Sequence, residues 1–171
     1  YIKNLCEIIN YGSMDNTYKM SWIRSIVEIC EIDCKEEIHF DEISERMFGY
    51  YWDQSIWWNF RQGSGVNEPK IVQIVKEEIE KYQNHLNTYK PEKFIKIKND
   101  ITIPVHQIST VLTQDVSHKF LKLGTNDPYT NIYSLNDRIV TLKEPETIKN
   151  YAQILYRLIN YRWVEMLEQF N

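Results

Sequence analysis

From Pro145 to Asn171 the apolar side chains Ile148, Tyr151, Ala152, Leu155, Ile159, Trp163, Met166, Leu167 and Phe170 recur at helical spacing. A stripe this long puts one side of an α-helix against a core, so the rest of the chain must supply the other half of that core. Pro145 suits the helix's first turn, where a missing N–H is no loss. The stripe stays apolar into the final turn, with Trp163, Leu167 and Phe170 and no Gly or Pro after them. The closing helix therefore reads as a connector that leads out of this chain.

Earlier segments repeat the helical pattern. Residues 5–9 form a short apolar run ended by the turn cluster Asn10-Tyr11-Gly12-Ser13. Asp15 or Asn16 can cap a helix whose buried side is Trp22, Ile23, Ile26, Val27, Ile29 and Cys30. Ile38-His39-Phe40 leads into a second helix with Asp41 as its cap, Ile43, Met47 and Phe48 inside, and Gly49 as its end. Residues 50–60 are the most aromatic part of the chain, and Gln62-Gly63-Ser64-Gly65-Val66-Asn67 reads as a flexible loop. Pro69 opens a further helix through Ile71, Val72, Ile74, Val75, Ile79, Tyr82 and Leu86, with Glu77, Glu78, Glu80 and Lys81 on its wet face.

After Pro91 the period changes. Phe94-Ile95-Lys96-Ile97-Lys98, Phe120-Leu121-Lys122-Leu123, Ile132-Tyr133-Ser134-Leu135 and Arg138-Ile139-Val140-Thr141-Leu142 read as short strands, with a two-residue turn at Asn136-Asp137 joining the last two. The expected fold is mainly α with a small antiparallel β element (α+β), built around a helix-turn-helix-like helical core. At 171 residues the chain suits a single domain over residues 1–171: a helical part at 1–90, a β-containing part at 91–144 and the closing helix at 145–171.

The chemistry-bearing residue types are scattered. His39, His85, His106 and His118 share no metal-ligand spacing, and Cys6, Cys30 and Cys34 form neither a disulfide framework nor a zinc pair. The sequence contains no phosphate-cradling Gly-rich motif and no nucleophile elbow. The thiols fit a reducing, cytoplasmic setting, and no stretch is apolar for the ~20 residues a membrane helix needs, so no membrane partner is expected. A net charge of −4 argues against a uniformly basic duplex-binding surface but permits a local one. On the closing helix Lys149, Gln153, Tyr156, Arg157 and Asn160 make a polar stripe of types suited to phosphates and base edges. Arg61, Gln62 and the Gly/Ser loop beside Trp57 and Trp58 combine a cation, backbone freedom and stacking rings.

Two stretches carry a family resemblance. Asn16-Thr17-Tyr18-Lys19-Met20-Ser21-Trp22-Ile23-Arg24-Ser25-Ile26-Val27-Glu28-Ile29 resembles the opening helix of bacterial HNH-type endonucleases related to restriction enzymes, and residues 148–171, with Ile159-Asn160-Tyr161-Arg162-Trp163, resemble the helix that precedes their nuclease module. The resemblance implies an amino-terminal region that engages DNA, followed by a ββα-metal nuclease. That module would carry the divalent metal and the general base, neither of which has a counterpart here. With Tyr1 in place of an initiating Met, the chain reads as a piece of such a protein, non-catalytic and without a cofactor of its own. The expected function is a DNA-engaging, specificity or accessory region, with double-stranded DNA as partner and Lys19, Arg24, Arg61, Gln62, Lys149, Gln153, Arg157 and Asn160 as contacts. The alternative is a helical interaction module that forms a homodimer or docks a nuclease through residues 50–60.

Overall fold

The computed structural model describes residues 1–124 and 128–171. Its elements run α1 (Ile2–Tyr11), α2 (Tyr18–Asp33), β1 (Glu37–His39), α3 (Phe40–Trp57), α4 (Lys70–Leu86), α5 (Phe94–Ile97) and α6 (Val105–Asp115). There follow α7 (Ser117–Phe120), β2 (Tyr133–Asn136), β3 (Ile139–Leu142), α8 (Pro145–Asn150) and α9 (Ala152–Phe170). The architecture is mainly α with one small antiparallel sheet of order β1-β3-β2.

The helices form where apolar residues recur at three and four, and each stripe finds its cover. α2 packs against α9, α3 and α8; α3 packs against α4 and α6; α1 lies on α9. Trp22, Phe40, Phe48, Tyr51, Trp52, Phe120 and Tyr133 are the bulkiest fully buried side chains. Trp22 meets Phe40 edge to face at 5.2 Å between ring centroids, and its indole N–H donates to the Tyr133 hydroxyl at 3.2 Å. Tyr51 and Trp52 leave little of the aromatic segment 50–60 for a partner, since both point inward from α3. Trp57 and Trp58 are the rings that remain exposed there.

Several local expectations change. Residues 94–98 and 120–123 are not strands: the first is the single helical turn α5 and the second follows the end of α7. Phe-Ile-Lys-Ile-Lys satisfies the alternation of a strand, but a strand needs a neighbour for its ladder, and the sheet's three strands lie elsewhere. Instead the Phe94 N–H donates to Asp53 Oδ1 at 2.8 Å, and the Phe94 ring packs on Phe48 and Trp52. A third strand, β1, appears where none was expected; it pairs Ile38 with Val140 of β3. The hairpin turn is Asp137-Arg138, one residue later than Asn136-Asp137, because Asn136 still pairs with Ile139. Asp137 takes the positive φ of 52°.

Helix ends shift as well. The cap of α3 is His39: its side chain accepts the Glu42 N–H while the Glu42 carboxylate accepts the His39 N–H, a reciprocal pair at the helix start. Asp41 instead accepts a hydrogen bond from Ser109 Oγ at 2.9 Å. At α2 the cap position is Thr17, with Asn16 Oδ1 accepting the Tyr18 N–H at 3.0 Å. The closing helix is two helices that meet at Tyr151, and both Tyr151 and Leu86, expected on core stripes, face solvent.

Gly49 does not end α3, which runs on to Trp57. A Cβ at this position would lie 2.6 Å from Phe94 Cδ1, so glycine is there to let α5 close against α3. Gly49→Ala gains up to ~1 kcal/mol of helix propensity but must displace the half-buried Phe94 ring from its place against Phe48 and Trp52. A net loss of about 1–2 kcal/mol is expected in urea unfolding. A midpoint that rises instead would show that the Phe94 seat carries no weight.

Candidate functional site

The amino-terminal ends of α2 and α4 open onto the same hollow, about 440 Å³ in volume. What brings them together is the segment between α3 and α4. The Thr17 N–H donates to the Gln62 carbonyl at 3.0 Å, and Thr17 Oγ1 donates to Gln62 Oε1 at 2.8 Å. Asn16 and Gly63 form an isolated antiparallel bridge, and the Ser64 N–H donates to the Asp15 carbonyl at 2.9 Å. At Gly63 a Cβ would stand 3.1–3.3 Å from Pro69 Cγ, the Asp15 carbonyl and Asn16 Cβ, so the loop can lie this close to α2 because the residue is glycine. The Tyr18 hydroxyl then accepts the Ile71 N–H at 2.7 Å, taking one of the amides that a helix start leaves without an internal partner.

Into this hollow come Lys19 from α2, Lys70 from α4, Lys119 from α7 and Lys122 just beyond it, together with Asp15 and Asp115. Lys119 pairs with Asp115 at 3.2 Å on the surface. The Lys19 ammonium is half-buried, and its pKa is held below the ordinary lysine value. Burial is the main cause and the neighbouring Lys119 charge adds to it, while Asp15 opposes both. Four ammonium groups against two carboxylates make a locally positive basin in an acidic chain. Such an arrangement is of the charge type that suits phosphate-like anions. Among the described residues no group of three or more His, Cys, Asp and Glu is placed to hold a metal ion.

The contact set read from the sequence is dispersed. Lys19 lines the basin. Arg24 is an internal tie between helices: its guanidinium lies 5.3 Å from the Tyr50 ring centroid and 5.6 Å from that of Tyr156, while Nε donates to Glu28 and Nη1 to Asn160. Gln153 and Tyr156 both donate to the Glu31 carboxylate, at 2.9 and 2.7 Å. The polar stripe of the closing helix is therefore largely the rim of its contact with α2. Gln62 is turned inward at 1% exposure; its Oε1 also accepts from Trp163 Nε1, and its Nε2 donates to Gln54. Arg61 is exposed and donates to the Gly65 carbonyl, and Lys149 and Arg157 face solvent.

Sequence reading missed Lys70, Lys119 and Lys122. A helical reading of 117–123 would have placed Lys119 and Lys122 one turn apart, but nothing local links either to Lys19 or Lys70. No protein-family model, curated protein or solved structure matches the chain.

Proposed function

We propose that this protein is the DNA-engaging region of an HNH-type, restriction-like endonuclease and that it meets duplex phosphates through the lysine basin. The convergence of Lys19, Lys70, Lys119 and Lys122 on one hollow carries the reading. The likeness of residues 16–29 and 148–171 to that family supplies the wider context. Cutting, with its divalent metal, belongs in this reading to a module outside the chain. Arg61 and the Gly-rich loop line a second, smaller hollow of about 250 Å³ beside the basin, with Pro69 lining both, and extend the cationic track.

Phosphate contacts release condensed counterions, and each lowers the slope of log affinity against log salt by about 0.9. With four ammonium groups engaged the slope is expected near −3.6, a loss of about two orders of magnitude between roughly 50 and 200 mM salt. Fluorescence anisotropy with a labelled duplex measures this directly. Absent binding, or binding indifferent to salt, would rule the reading out.

A further inference from the structure

The side of α9 turned away from the core carries Ile154, Arg157, Tyr161, Val164 and Glu168, all exposed. Their spacing alternates between three and four, which is the seam spacing of two paired helices rather than the scatter of a solvated face. Three of the five are apolar, with Tyr161 at 69%, Ile154 at 58% and Val164 at 54% exposure. One of the two charges is placed against the interest of the helix itself. Glu168 lies in the last turn, where the helix dipole disfavours an anion, and no basic residue occupies that turn. Among the described residues neither Arg157 nor Glu168 forms an ion pair, since Arg162 takes Glu165.

We infer that this face of α9 pairs with α9 of a second copy of the chain, antiparallel about a two-fold axis crossing between Tyr161 and Val164. In that register Tyr161 meets the partner's Val164 and Arg157 meets the partner's Glu168, and symmetry makes each contact twice. A face with its cation towards one end and its anion at the other is complementary to itself only when reversed, the isologous arrangement of a closed dimer. The same carboxylate weighs against nucleic acid as occupant, because it would stand against phosphate. The inference is independent of the lysine basin, whose lining among the described residues takes no side chain from α9.

Sedimentation velocity on the full chain, across roughly 1–100 μM, tests it. The wild type is expected to sediment at about twice its 20.7 kDa mass. Arg157→Glu and Glu168→Arg each set like charges face to face and should raise the dimer dissociation constant about tenfold or more. The double variant restores the opposite pairing and should restore the dimer. Circular dichroism shows whether each variant is folded, as expected for exposed positions. A wild type that stays monomeric overturns the inference, as does a dimer indifferent to both single changes or a double variant that remains a monomer. A monomer whose duplex affinity falls on Arg157→Glu also overturns it, by assigning the face to DNA.

Discussion

Trp22→Ala is expected to lower the free energy of unfolding by about 3–5 kcal/mol, the cost of removing a large ring from a packed core and leaving a cavity. Trp22 is fully buried on α2, the helix against which α9, α3 and α8 all pack, so no single neighbour can move in to fill the space. The change also removes the edge-to-face contact with Phe40 and the N–H that the Tyr133 hydroxyl accepts. Tyr133 keeps its own donation to the Ser117 carbonyl, so the hydroxyl is not orphaned and the loss is mainly one of packing. Against a total stability of about 5–15 kcal/mol the variant retains a folded state only if the wild type is well above the lower end. For a chain of this length the melting temperature should fall by roughly 6–20 °C. Trp58→Ala is the control: that ring is exposed, and its removal should change stability by less than about 0.5 kcal/mol. Equal effects from the two tryptophans would mean that α2 is not the centre of the core.

Converting Lys70, Lys119 and Lys122 together to alanine should weaken duplex binding at least about a hundredfold near 50 mM salt and flatten the salt dependence by about 2.7 in slope. All three side chains are exposed, and the Lys119–Asp115 pair is a surface ion pair of little energetic weight, so the fold should survive. Lys19 behaves differently because it is partly buried. Its folded-state pKa lies below the ordinary lysine value, so the native protein holds that proton less tightly than the unfolded chain does. The charged form therefore costs stability at neutral pH, and that cost begins to fall as pH rises through the folded-state pKa and is gone only above the higher unfolded-state value. Lys19→Met should accordingly leave the melting temperature unchanged or raise it while reducing affinity. A triple-alanine variant that binds DNA as the wild type does would move the contact surface elsewhere on the molecule.

Local periodicity was enough to recognise α2, α4 and α9, because their apolar residues repeat over four turns or more, and to recognise the β2–β3 pair from alternation around a turn. It failed for the 11-residue α6, which no reading of residues 91–144 included, and where an element is too short to have a period. Residues 94–98 alternate like a strand and yet form a helical turn, since Phe94 and Ile97 can also share one helical face and the available partner is the flank of α3. β1 contains a single buried residue, Ile38, and exists because the edge of β3 is there to pair with it. Gly49 looked like a helix end because glycine usually is one; its actual role depends on a ring 45 positions away.

The basin follows the same logic at a larger scale. Each of its lysines is unremarkable among its chain neighbours, and Gln62, which looked like a surface amide beside a loop, is the buried residue that ties that loop to Thr17. The amino-acid order was sufficient for the long helices α2, α4 and α9, the β2–β3 pair and the overall α+β class, because those depend on interactions within a few residues. Which cations share a hollow, and which polar groups are spent holding helices together, was settled by how the core packs, since only packing brings Lys19, Lys70 and Lys119 to one place.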